Sequence, residues 1–186
     1  MNTIDAIKRC DTWLAASKSS VNGDLIIVGG AALNWSNYTD RTTTDVDVIS
    51  IEGGPDTISL IRALRSFADT TEGQELQLDR EWINMAATGF THLMLDNWHH
   101  DIQLLYRGSN IRLYSPSRVN LVILKLVAAA DRGRQDFDDL QAMRPNVQVL
   151  EIAQRHLSHL AKTNRNLNDQ KIQAVIAQLG HYPDAS

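Results

Sequence analysis

The chain has 186 residues, 43% of them hydrophobic, and 22 Asp and Glu against 18 Lys and Arg leave a net charge of −4. This length fits one domain, or one domain with a helical extension, and can bury a sizeable core without covalent staples. The single Cys10 excludes an internal disulfide, and no stretch approaches the 18 apolar residues of a membrane span.

Residues 1–23 carry Asp5, Lys8, Arg9, Asp11 and Lys18 and lack the apolar centre of a signal peptide. With one cysteine, this points to a reducing, cytoplasmic compartment. The apolar spacing of Ile4, Ile7, Trp13 and Leu14 predicts a helix over 3–18. Asn22-Gly23 is a turn signal, and 25–28 reads as a short buried strand. A helix is expected to begin at Gly30 and reach Trp35, before a polar stretch over 36–44. A second strand is expected over 45–51, broken by Gly53-Gly54-Pro55. Ile58, Leu60, Ile61, Leu64 and Phe67 predict a helix over 56–68, with Asp56 as a plausible cap.

Residues 69–97 give a weaker pattern, a short helix and a loop. Strands are expected over 91–95, 98–106 and 111–114, with Asp101, Gln103 and Leu105 alternating against Ile102, Leu104 and Tyr106. His99 and His100 are adjacent, so on a strand they point apart and cannot simply chelate one ion. Ser115-Pro116 reads as a helix start. The following helix, 117–130, is almost wholly apolar around one charge, Lys125. A buried lysine needs an anionic partner: a carboxylate would make it structural, a nucleotide phosphate functional. Asp131-Arg132-Gly133 ends that helix. The next begins near Asp136, with Asp136 and Asp139 on one face. One or two further helices are expected over 147–179, with a break at 164–168.

The centre of the chain is 25–49, LIIVGGAALNWSNYTDRTTTDVDVI. On a strand, Asp45 and Asp47 share one face about 7 Å apart, while Val46 and Val48 face a core. Two such carboxylates repel unless a cation lies between them. Hard oxygen ligands of this kind suit Mg²⁺, which takes one or two carboxylates together with substrate phosphates.

Gly29-Gly30, 14 intervening residues and then Asp45-Val46-Asp47-Val48 resemble the polymerase-β-type nucleotidyltransferase superfamily. The form Arg41-x-Thr43-x-Asp45-Val46-Asp47 looks like its AbiEii-like and minimal members, toxins of bacterial toxin–antitoxin systems. The segment Leu124-Lys125-Leu126 to Asp136-x-x-Asp139-Leu140 resembles their C-terminal motifs, with Gln135 where Lys or Arg is commoner. The resemblance covers about residues 24–143.

It implies an α/β fold with a small mixed sheet, a nucleotidyltransferase domain over 1–143 and a helical extension over 144–186. It implies Gly29, Gly30, Arg41, Thr43 and Lys125 as nucleotide-binding residues. Asp45, Asp47, Lys125 and Asp136 would be catalytic, and Mg²⁺ or Mn²⁺ would be held by Asp45, Asp47 and a third carboxylate on a neighbouring strand. Asp101 is the candidate for that third ligand, with Asp96 as the alternative.

The activity implied is transfer of a nucleotide from an NTP to an acceptor. The candidate acceptors are a tRNA 3′ end and a partner protein, which would be an antitoxin. The alternatives are an NTP-binding module without turnover and an antibiotic-modifying transferase. Residues 1–106 carry 7 Lys/Arg against 15 Asp/Glu, and 107–186 carry 11 against 7. An acidic metal-binding half and a basic half suited to RNA phosphates are expected from that split.

Overall fold

A computed structural model of the chain describes residues 3–50 and 57–180. The end of the second strand at Ile51, the break at Gly53-Gly54-Pro55, the Asp56 cap and the tail after Gly180 lie outside the described residues. The chain forms two compact units, one of residues 1–91 and 99–116, the other of residues 92–98 and 117–186. The units divide before the Lys125 helix, whereas the expected domain boundary falls after residue 143.

The first unit is α/β. Its five-stranded mixed sheet has the order β3-β2-β1-β5-β4, with β1 Gly23–Val28, β2 Val46–Ile49, β3 Ile83–Asn84, β4 Ile102–Arg107 and β5 Ile111–Pro116. Strand β1 is central, antiparallel to β2 and parallel to β5. Leu25, Ile26, Ile27 and Val28 are all buried, the continuous apolar run expected of a strand covered on both faces. Helix α1, Thr3–Ala16, and α3, Thr57–Phe67, bury Ile7, Leu14, Leu60, Leu64 and Phe67, and a short α4, Thr71–Glu75, follows α3. Helix α3 packs on β1 and β3.

Strand β3 is only two residues long and is tied to α3 by side-chain bonds in both directions. Trp82, 1% exposed, donates its indole N–H to Leu64 O at 3.1 Å. Arg65 Nε donates to Ile83 O at 2.9 Å. These bonds occupy backbone oxygens of the helix and of the sheet edge.

Three expectations are corrected. Residues 91–95 are not a strand: Ala86–Leu93 forms a 3₁₀ helix, and the short apolar run could not distinguish the two. Residues 98–100 are likewise 3₁₀, so β4 begins at Ile102. Pro116 ends β5 rather than opening a helix, and Ser117 is the N-cap residue.

The turn between β4 and β5 sits on Asp11 of α1, which is 4% exposed. Its carboxylate accepts the backbone N–H of Ser109 at 2.9 Å and those of Asn110 and Ile111 at 2.8 Å. The Tyr106 hydroxyl donates to it at 3.1 Å. A Cβ at Gly108 would collide with this carboxylate. Three amides around one anion form a concave anion site filled by the protein's own side chain.

The second unit is helical: α5 Arg118–Arg132, α6 Arg134–Met143, α7 Val147–Leu160 and α8 Asp169–Leu179. Helix α5 packs against α6, α7 and α8. Asn146 and Asn168 cap α7 and α8, accepting from Val149 N at 2.9 Å and Lys171 N at 3.0 Å. The break expected over 164–168 falls between α7 and α8. Among the described residues, no helix is long and apolar enough to cross a membrane.

Two predictions follow from Asp11 and its neighbours. Asp11→Ala should strongly destabilise the protein to urea, because each buried amide left unpaired costs about 1–3 kcal/mol; an unchanged midpoint would remove the anchoring role. Burial and then the Asp11 charge push the Cys10 thiol pKa up, and the same two causes raise the Tyr106 phenol. Both groups therefore stay protonated in the folded chain at pH values where the unfolded chain ionises. Their contribution is complete below the unfolded values and is lost as pH rises through the folded ones. Urea midpoints should fall above about pH 9, and Cys10 should resist alkylation until the chain unfolds.

Candidate active site

The site grows from the end of β1. Val28 is extended, and the chain turns at Gly29, whose φ of +67° favours glycine. Helix α2, Gly29–Trp35, follows directly. A Cβ on Gly29 would lie 2.9 Å from Asp47 Oδ2. A Cβ on Gly30 would lie 3.0 Å from Arg41 Nη2 and 3.4 Å from Thr43 Oγ1. The glycine pair therefore gives room to three of the expected site side chains, and backbone lies where side chains would otherwise stand.

The polar stretch after α2 is pinned locally. Asn34 Nδ2 donates to Thr39 O at 3.1 Å, and Thr39 Oγ1 accepts from Arg41 N at 3.1 Å. These bonds fix the path that returns Arg41 and Thr43 to Gly30. The Thr43 hydroxyl lies 3.1 Å from Asp45 Oδ1 and 3.3 Å from Asp45 O. Asp45 comes one residue before β2, and Asp47 lies within it. Val46 and Val48 are buried, at 1% and 0% exposure, while Asp45 and Asp47 are half-buried. The alternation expected of the Asp-Val-Asp-Val run is present. The structure thus brings together Gly29, Gly30, Arg41, Thr43, Asp45 and Asp47.

It does not bring Asp101 to them. Asp101 is exposed, just before β4. Strand β4 is an edge strand separated from β2 by β5 and β1, three ladder spacings or roughly 14 Å. The expectation that Asp101 stands on a strand beside the Asp-Val-Asp strand is therefore corrected: the neighbours of β2 are β1 and β3. Among the described residues, no group of three His, Cys, Asp or Glu side chains could hold a metal ion. The rings of His99 and His100 meet edge to face, 4.3 Å between centroids. Asp96, the alternative third ligand, is exposed and belongs to the second unit.

The donor set suits a nucleotide-borne ion. Asp45 and Asp47 would supply two carboxylates to a magnesium ion, a set that fits an ion whose remaining ligands are phosphate and water oxygens.

Lys125, 8% exposed, lies in the second unit. Its Nζ donates to Asp136 Oδ1 at 2.7 Å and to Asp139 Oδ2 at 2.6 Å. Arg132 Nε lies 3.4 Å from Asp136 Oδ2. Of the two alternatives for Lys125, the structure carries the carboxylate one. The two carboxylates are the anionic partners that its burial requires. Asp136 and Asp139 thus form with Lys125 a buried charge cluster that joins α5 to α6, with exposed Arg132 at its edge.

A glycine turn leading into a helix, followed by an acidic strand antiparallel to the central one, defines a nucleotidyltransferase-type α/β protein. The chain belongs to the family described as "Nucleotidyltransferase of unknown function (DUF6036)", which matches residues 6–182 and so runs through both units. No curated protein and no solved structure matches the chain.

Lys125→Met should lower stability by about 3–5 kcal/mol, the cost of leaving buried carboxylates without their cation. Thermal and urea unfolding measure this. A variant as stable as the parent would restore a functional reading of the lysine.

Proposed function

We propose that this protein is a divalent-metal-dependent nucleotidyltransferase that moves a nucleotide from an NTP to an acceptor hydroxyl. The observation that carries this is the convergence of Asp45, Asp47, Arg41 and Thr43 on Gly29-Gly30. The acceptor oxygen bonds to the α-phosphorus as the bond to pyrophosphate breaks, and the acceptor's proton is released. Arg41 offsets negative charge on the phosphates. The Thr43 hydroxyl orients the Asp45 carboxylate. The half-buried backbone at the glycine pair, free of side chains, receives the phosphates at close range. Bound Mg²⁺ or Mn²⁺, held by Asp45 and Asp47, supplies charge neutralisation and orients the attacking and leaving oxygens.

For the acceptor we propose a tRNA 3′ end, with a toxin role balanced by an antitoxin partner, as the AbiEii-like resemblance implies. What supports an RNA acceptor is narrower than the charge of residues 107–186. Arg112 pairs with Asp24, Arg118 donates to the Met143 and Arg144 carbonyls, and Arg132 faces Asp136. The support rests on exposed Arg155, His159 and Lys162, which share one face of α7 and the turn after it, followed by exposed Arg165.

The test incubates the protein with each labelled NTP, Mg²⁺ or Mn²⁺, and total cellular RNA or protein. Asp45→Asn and Asp47→Asn should each reduce transfer by on the order of 10²–10³-fold, with melting temperature unchanged or raised as carboxylate repulsion falls. Full activity in either variant would sink the assignment. Labelled tRNA with a steep salt dependence supports the RNA acceptor. Label confined to protein replaces it with a protein acceptor. NTP binding without any transfer makes the chain a binding module.

A further inference from the structure

We propose that Asn84 is the third polar group of the metal and nucleotide site, and that its neutral amide limits the site to two carboxylates. This rests on the nucleotidyltransferase reading above. In the parallel β2–β3 ladder, Asp47 is the register partner of Asn84. Register partners project to the same face of a sheet, roughly 5 Å apart. Burial on the two strands agrees: Val46, Val48 and Ile83 are buried, whereas Asp47 and Asn84 are half-buried. On its other side Asp47 is the partner of Val28. Asn84 is therefore the polar ladder neighbour of Asp47.

The amide is already oriented. Asn84 Oδ1 accepts the Ala86 N–H at 2.9 Å, an Asx turn at the start of the 3₁₀ helix. One lone pair and both N–H donors remain for an ion, a phosphate or the Asp47 carboxylate. A carboxylate here would add a third negative charge beside Asp47, and the amide adds none. With two carboxylates, the site matches the charge of one divalent ion. A second ion would need the anionic phosphates that arrive with the NTP.

The discriminating variant is Asn84→Asp, because aspartate keeps the acceptor for Ala86 N–H and changes only the charge. Mn²⁺ alone is titrated into the full chain and followed by its paramagnetic resonance signal, with metal-free melting in parallel. Asn84→Asp should tighten Mn²⁺ binding by about tenfold or more, since it adds a charge within about 5 Å of the ion's carboxylate. It should also lower the metal-free melting temperature. Asp101→Asn should change neither. Unchanged Mn²⁺ affinity in Asn84→Asp, or weakened binding in Asp101→Asn, overturns the proposal. Asp45→Asn and Asp47→Asn serve as references. If they weaken Mn²⁺ binding and Asn84→Asp does not strengthen it, only the placement of Asn84 falls. If neither weakens it, the metal-site reading falls as well.

Discussion

One steric constraint organises the first unit: the carboxylate of Asp47 occupies the space where a side chain at residue 29 would stand. Only glycine meets both demands at that point, a positive φ and no Cβ. One residue on, where φ is ordinary, the demand is steric alone: a Cβ on Gly30 would press on Arg41 and Thr43. The glycine pair thus has a packing reason that exists before any ligand arrives. A phosphate binding there would meet backbone already bordered by a guanidinium, a hydroxyl and a carboxylate. Rigid elements on both sides, β1 and β2, hold this arrangement, and the pinned loop through Thr39 supplies its remaining members.

The two buried charge clusters of this chain solve one problem in different ways. Asp11 is a lone buried carboxylate satisfied by dipoles: three amides and a phenol. Lys125 is a buried cation satisfied by charges, Asp136 and Asp139, with Arg132 balancing the total. Each ties together segments distant in sequence, α1 to the β4–β5 turn and α5 to α6. Hydrogen bonds between ions and fixed donors are strong and directional. Such clusters specify which segments meet, where apolar packing alone tolerates alternatives.

What could be read from the sequence was set by how local the determining interaction is. Strand β1, helix α2 and the alternation through Asp47 are local patterns, and all are present at the expected positions to within a residue or two. The amphipathic helices α1, α3, α7 and α8 are legible for the same reason. Strand β3 was missed because two residues carry no periodicity; it is tied to α3 by Trp82 reaching Leu64 O and by Arg65 reaching back to Ile83 O. Strand order was equally out of reach. Nothing near Asp101 reveals that two strands will intervene between β4 and β2, because parallel pairing is decided by contacts distant in sequence. The Lys125 partner was half legible: the need for an anion followed from burial, and Asp136 and Asp139 stood on one helical face. The choice between carboxylate and phosphate required the packing of α5 on α6.

Charge read along the chain misled in an instructive way. The basic excess of residues 107–186 includes Arg107 and Arg112, which belong to the sheet unit. The helical unit itself carries 9 Lys/Arg against 8 Asp/Glu over residues 92–98 and 117–186. Its net charge of +1 creates little long-range field at physiological ionic strength, where screening acts within about 8 Å. An RNA partner would therefore be recognised by local geometry: phosphates spaced to meet Arg155, His159 and Lys162 along one helix face. Recognition of that kind depends on where cations stand relative to one another, which the fold decides and a linear sum of charge does not.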